Sequence, residues 1–246
     1  MVGISYQFYC SRDHGIAETF AMLEEAGYNA IEGYGPLYED PAATKALMDK
    51  HGMTMPTAHV SIDLAEDTAK VIAVAKALGI ERIIVPWIAP EARGTTTAEW
   101  TAFAQRLAKA GKPIVEAGFK FGWHNHDFEF FPTAEGDMPL DIIMAAGDHI
   151  SLELDLGWTF RAGQDCVAWI NKYADRLIAV HVKDRAAEGE NKENDGWADV
   201  GYGIIDWKSI KTALDAAGVD RYVIENDHPG DHQRFATRSL ASVKAF

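Results

Sequence analysis

Short apolar runs alternate with longer stretches of helical spacing from one end of the chain to the other. The runs Gly3–Tyr9, Ala30–Gly33, Thr54–Val60, Arg82–Trp87, Lys120–His124, Ile150–Leu156, Leu177–Lys183 and Tyr222–Asn226 predict eight strands. Between them, positions such as Ile16-Thr19-Phe20-Leu23 and Val71-Val74-Ala75-Leu78 return every three to four residues, as one face of a helix does. Several helical stretches stop on glycine just before the next strand, at Gly27, Gly79, Gly118 and Gly218. Glycine enters the left-handed turn past a helix end without a Cβ penalty, so this is the closing phrase of a repeating helix-to-strand unit.

Strands alternating with helices pair in parallel through right-handed crossovers, and either a closed barrel or an open doubly wound sheet satisfies that rule. No glycine-rich dinucleotide loop follows the first strand, where Phe8-Tyr9-Cys10-Ser11-Arg12-Asp13 stands instead. Polar residues gather at the C-terminal ends of many strands and not at one switch point, the distribution of a barrel whose site is built from all its β-to-α loops. No linker or composition shift divides the 246 residues. The expected fold is α/β, a single (β/α)8 TIM barrel spanning 1–246. Arg185–Asp199 reads as an exposed loop after the seventh strand, with Trp197 able to close over a ligand, and Gly201-Tyr-Gly203 as a turn before a helix starting near Asp206.

Charge narrows the partners. Lys plus Arg number 23 against 37 Asp plus Glu, a formal charge of −14, and no basic cluster interrupts that excess. Nucleic acid and anionic membranes are therefore not expected partners. Cys10 and Cys166 offer no disulfide framework, the N-terminus has no basic start or apolar signal core, and no apolar stretch approaches a membrane span. The expectation is a cytoplasmic protein, with a homo-oligomer compatible.

Four of the apolar runs end on residues able to hold a divalent metal: Trp-His124-Asn-His126, Leu-Glu-Leu-Asp155, Ala-Val-His181-Val-Lys183-Asp184 and Val-Ile-Glu225. For any one of them, a buried side chain satisfied by a neighbour is the ordinary explanation. Four together point to one shared polar centre, since a buried imidazole or carboxylate is costly without a partner. His124, Asp155, His181 and Glu225 fall on consecutive strand ends, which converge at one barrel mouth. Two imidazoles and two carboxylates suit one divalent ion, Mn²⁺, Co²⁺ or Zn²⁺ ahead of Mg²⁺, with positions left for substrate oxygens. His126 shares a face with His124 by strand alternation, and Lys183 with His181. Lys183 is suited to polarise a carbonyl or steady an enolate. Glu32, His59 and Trp87 end other strands and, with Trp158 and Phe8, form the expected substrate pocket. Trp123 alternates away from His124 and belongs to the core, and Asp184 is an anchor for the loop.

At Trp-His124-Asn-His126-Asp-Phe-Glu129-Phe, Glu153-Leu-Asp155-Leu-Gly-Trp158, His181-Val-Lys183-Asp184, Gly201-Tyr-Gly203-Ile-Ile-Asp206-Trp and Val-Ile-Glu225-Asn-Asp227 the chain resembles the xylose isomerase-like barrels of the sugar phosphate isomerase/epimerase group. The likeness runs over essentially the whole chain and is strongest in its second half. It implies metal ligands at the ends of strands five to eight, the last three falling on Asp155, His181 and Glu225. The strand-five position, a glutamate in the family, is His124 here. The resemblance implies an isomerase or epimerase of a sugar, keto-sugar or cyclitol, acting by proton abstraction next to a carbonyl through a metal-stabilised enolate. Glu225 is the expected base, with His126 or Glu129 as a second proton-transfer group. Losing the paired glutamates adds weight to the alternative, a lyase or dehydratase of a keto-sugar or inosose, for which one base suffices; isomerase or epimerase stays first on family frequency. A non-catalytic carbohydrate-binding or partner subunit is the third reading.

Overall fold

The computed structural model describes residues 2–246. Its strands are β1 (Gly3–Gln7), β2 (Ala30–Gly33), β3 (Thr54–His59), β4 (Arg82–Val85), β5 (Lys120–His124), β6 (Ile150–Asp155), β7 (Leu177–Val182), β8 (Asp184–Arg185), β9 (Trp197–Ala198) and β10 (Arg221–Ile224). All but β8 and β9 close into one parallel barrel in the order β1-β10-β7-β6-β5-β4-β3-β2. The helices are α1 (Ile16–Ala26), α2 (Pro41–Lys50), α3 (Ile62–Glu66), α4 (Thr68–Leu78), α5 (Thr97–Glu116), α6 (Pro139–Ala145), α7 (Leu156–Arg161), α8 (Cys166–Lys172), α9 (Trp207–Ala216) and α10 (His232–Lys244). The expected (β/α)8 barrel is the observed one.

The apolar spacing explains the layering. Along α5, Trp100, Ala104, Leu107, Ala110, Gly111 and Ile114 are buried, one stripe at helical period facing the barrel. Gly111 is required there: a Cβ would stand 2.2 Å from a ring carbon of Phe121 in β5. Gly27 and Gly79 close α1 and α4 at φ of 90° and 72°, as the repeated closing phrase predicts. At the N-terminal end, Arg82 of β4 crosses the barrel floor to the Ile178 carbonyl and pairs with Asp220 at 2.8 and 3.0 Å. That floor closes one end, so polar chemistry is left to the other.

Several boundaries differ from the sequence expectation, each for a local reason. β1 stops at Gln7, whose side-chain oxygen accepts from the Tyr9 N–H and starts a 3₁₀ turn over Phe8–Ser11. Phe8 is consequently buried against Phe20 at 5.1 Å, in the layer between barrel and helices, and does not line the mouth. β4 ends at Val85, leaving Trp87 on the loop, 47% exposed. His126 lies beyond the end of β5, so strand alternation does not govern it. Arg185–Asp199 is not simply a solvated excursion. It begins and ends in the antiparallel β8–β9 ribbon, and Trp197 is already buried, edge-on to Trp158 at 4.8 Å. Asp184 anchors this region as expected, accepting from the N–H groups of Gly201 and Gly203 and from Trp207 Nε1. Among the described residues, no helix is long and apolar enough to cross a membrane.

Candidate active site and metal centre

Successive strand ends carry the site. β5 ends on His124 and β6 on Asp155; β7 holds His181 one residue from its end, and Glu225 follows the last residue of β10. Register aligns Asp155 with His181 and His181 with Val223, two residues before Glu225. One ligand atom from each of His124, Asp155, His181 and Glu225 lies within 4.8 Å of all the others. His181 Nδ1 is 2.8 Å from Glu225 Oε2 and 3.7 Å from Asp155 Oδ2, and His124 Nε2 is 3.9 Å from the same Asp155 oxygen. Asp155 Oδ1 accepts the Trp158 N–H at 2.7 Å and so caps α7, while Oδ2 is buried with no hydrogen-bond partner. A buried carboxylate oxygen without a donor, facing two imidazoles, is what the donor set of a divalent ion looks like. The residues present fit a metal.

Beneath this cluster lies a second polar layer that the strand-end pattern showed only in part. Glu153, two residues before Asp155, points to the same interior side one step toward the floor. Its Oε2 receives His59 Nε2 at 2.6 Å and stands 3.2 Å from His181 Nε2. Glu32 Oε1 receives His181 Nε2 and Gln7 Nε2, both at 2.7 Å. His59, His124, Glu153 and His181 also form a group within 4.8 Å. Glu32 and His59, expected in the substrate pocket, are tied into this layer through His181 and Glu153, Glu32 wholly buried and His59 part-exposed.

Lys183 is fully buried on the other flank. Its ammonium pairs with Asp227, lies 3.2 Å from Glu225 Oε2 and 3.9 Å from Asp155 Oδ2, and faces the rings of Trp197 and Trp158 at 4.4 and 4.7 Å. Indole faces attract a cation, so the two rings help hold the charge in place of water. At the rim, His126 stands between Trp87 at 5.1 Å and Trp158 at 5.2 Å. His126 Nδ1 and Trp158 Nε1 are buried and unpartnered. A cavity of about 200 Å³ opens at the mouth beside Asp227, lined also by Cys10, Arg12 and His228.

Burial and neighbouring charge divide the protonation states. Burial, reinforced by the His181 charge, holds His124 down to about 3, leaving a neutral imidazole free to ligate. Burial likewise keeps His126 well below the usual histidine range, with His124 adding to the effect. For His181 burial works the other way from its partners, and the carboxylates of Glu153, Glu225 and Glu32 win, raising it well above that range. Burial opposes ionisation of Glu225, but the Lys183 and His181 charges hold it well below the usual carboxylate range. Asp155, where burial outweighs the help of Lys183, is pushed up to about 8. Burial pushes Glu129 to about 8 as well, although it accepts the Trp123 Nε1–H at 2.9 Å and the His126 N–H at 2.9 Å. Trp123 is core, as expected, and Glu129 serves as its partner and a prop for the His126 loop.

Two side chains escaped the sequence reading as site residues. Glu153 carried its signal in plain view, since it shares parity with Asp155 on one strand. Gln7 gave none beyond an amide closing an apolar run.

Residues 20–243 match the family model described as Xylose isomerase-like TIM barrel. An inosose dehydratase from Lacticaseibacillus casei is 27% identical over 232 residues, covering 81% of this chain and 77% of that protein. The crystal structure of a sugar phosphate isomerase/epimerase from Parabacteroides distasonis superimposes with a TM-score of 0.82 at 19% identity, over 99% of this chain and 94% of that one. The 3-keto-D-glucoside 4-epimerase YcjR of E. coli does so with a TM-score of 0.72 at 15% identity, over 100% of both chains. At such identities the two structures speak to fold alone.

Proposed function

The chain belongs to the xylose isomerase-like TIM barrel family, and from that premise we propose that it is a divalent-metal-dependent lyase that removes water from a keto-cyclitol or keto-sugar. The observation that carries this reading is the asymmetry of the site. Glu225 is an ionised carboxylate beside Lys183, whereas the position facing it on β5 is a neutral imidazole, His124. A site with one proton-accepting carboxylate has no symmetrical pair to work both faces of a substrate, and elimination does not need one. The 27% identity to an inosose dehydratase supports the same choice.

His124, Asp155, His181 and Glu225 would hold the ion. When bound it acts as a Lewis acid on substrate oxygens. The protein's own groups then divide the work. Glu225 takes the proton from the carbon next to the carbonyl; the ammonium of Lys183, 3.2 Å from that carboxylate, stabilises the negative charge that develops. The C–O bond to the β-hydroxyl breaks, and the proton held on Glu225 leaves with the hydroxyl as water. Trp87 and Trp158 pack against the apolar faces of the ring, and His126 Nδ1 and Trp158 Nε1, lacking partners in the protein, bond its hydroxyls. The substrate is a small carbohydrate or polyol, in keeping with the acidic charge of the chain.

Isomerisation or epimerisation is the second reading, favoured by His126: a neutral imidazole with an unpaired nitrogen in the wall of the site is a second proton carrier. Incubating the Mn²⁺- or Co²⁺-loaded enzyme with a panel of inososes and keto-sugars in deuterated water separates the two. Loss of one water from the product mass supports elimination. Deuterium at the α-carbon with the mass otherwise conserved supports isomerisation and overturns elimination. Neither outcome across the panel overturns both.

A further inference from the structure

An imidazole that ligates a metal must present one bare nitrogen and keep the proton on the other, and in a buried site that second N–H needs an acceptor. Both candidate imidazole ligands here meet carboxylates on their two sides. His181 turns Nδ1 toward Glu225 and Asp155, at 2.8 and 3.7 Å, and Nε2 toward Glu32 and Glu153, at 2.7 and 3.2 Å. His124 turns Nε2 toward Asp155 at 3.9 Å and Nδ1 toward Glu153 at 3.4 Å. That Nδ1 is buried and has no aligned hydrogen bond, and neither have Glu153 Oε1 and Glu32 Oε2. The two imidazoles therefore divide one acidic set into a face toward the mouth and a face toward the barrel floor.

We propose that Glu32 and Glu153 are positioning residues: a carboxylate layer behind the metal centre that holds the protons on His181 Nε2 and His124 Nδ1 and so aims the opposite nitrogens at the ion. The inference rests on the metal site proposed above. Three observations favour it over a substrate-binding role for Glu32. Both carboxylates are wholly buried. Glu153 lies two residues before the ligand Asp155 on the same strand, on the same interior side and nearer the floor. And the layer is tied together within itself: Gln7 Nε2 donates to Glu32 at 2.7 Å, and His59 Nε2 reaches Glu153 at 2.6 Å and Glu32 at 3.1 Å. His59 belongs to this layer also, linking the two carboxylates. A carboxylate that orients a ligating histidine in this way is worth roughly 10- to 100-fold in metal affinity.

The test measures metal affinity and imidazole tautomer, with no turnover required. Chelator competition with Zn²⁺ compares the wild-type protein with Glu153→Gln and Glu32→Gln, and ¹⁵N NMR of the zinc-loaded wild type reports which ring nitrogen carries the proton. Protonated His181 Nε2 and His124 Nδ1, with affinity lowered about 10- to 100-fold in each variant, is the expected result. Protons on the opposite nitrogens overturn the proposal without any variant, which guards against a substitution that fails to fold. Unchanged affinity in both folded variants also overturns it and leaves the metal site standing. Should His59→Gln abolish binding while Asp155→Asn does not, the ion sits among His59, His124, Glu153 and His181, and the layer is itself the ligand set; that overturns the positioning role. If the wild type binds no metal at all, the functional reading above falls, and this inference with it.

Discussion

Replacing Lys183 with Met tests the charge balance of the site in depth. The ammonium is fully buried, pairs with Asp227 and lies 3.2 Å from Glu225 Oε2. At an effective dielectric of about 20, one such pair is worth roughly 5 kcal/mol of Coulomb energy. The desolvation of the ammonium offsets part of that, and the abandoned carboxylates can take up a proton, so the net cost of breaking the cluster is about 3–5 kcal/mol. For a chain of this size each kcal/mol moves Tm by about 2–4 °C, giving a drop on the order of 6–20 °C in metal-free protein at neutral pH. A divalent ion among the same carboxylates supplies positive charge that the substitution removed, so the drop should shrink by about half or more in Mn²⁺. Differential scanning calorimetry in EDTA and in Mn²⁺ reads both numbers. A metal-free drop under about 2 °C, or an equal drop with and without the ion, refutes the argument that Lys183 and the metal balance one set of buried carboxylates.

The remaining predictions concern individual groups. Glu225→Gln should lower turnover by about 10²- to 10⁴-fold, the value of a positioned base, with circular dichroism and Tm showing the fold intact. His181→Ala should leave less than a tenth of the wild-type metal by elemental analysis, since it removes one of the two imidazoles in the four-residue donor set. Glu129, whose folded-state pKa of about 8 exceeds the ordinary 4.5, keeps its proton in the native state after the unfolded chain has lost it. Its protonation thus favours the fold fully below about pH 4.5, and this contribution declines by up to about 1.4 kcal/mol per pH unit on the way to pH 8. Denaturant titrations of wild type and Glu129→Gln across pH 5–8 should accordingly show the wild type losing stability relative to the variant as pH rises; parallel curves would refute the assignment.

The barrel was legible because its units repeat: an apolar run, a polar ending, a helical stripe and a closing glycine. His124, Asp155, His181 and Glu225 were legible for the same reason, as polar endings on runs that have no other use for them. What alternation gives is a face, not a partner. Glu153 could be assigned inward by parity with Asp155, but its approach to His59, His124 and His181 depends on how strands on different sides of the closed barrel face one another. Glu32 and His59 were found as strand endings, but an ending says nothing of how deep the side chain sits or which groups it meets. Trp197 was read within a polar stretch whose composition signals exposure; the short β8–β9 ribbon folds it onto Lys183 and Trp158. Where β1 and β4 stop was decided by side-chain capping at Gln7 and by the loop geometry after Val85, neither of which leaves a hydrophobic pattern.

In the proposed enzyme one ion and one carboxylate base meet at the mouth of the barrel. An anomalous-difference map from crystals grown with Mn²⁺ and a keto-cyclitol tests it most directly. A single peak is expected, with His124, Asp155, His181 and Glu225 as its protein ligands at about 2.0–2.3 Å, and with a substrate carbon next to the carbonyl facing Glu225. A peak held by His59 and Glu153 instead, or a substrate whose α-carbon faces away from Glu225, would contradict it.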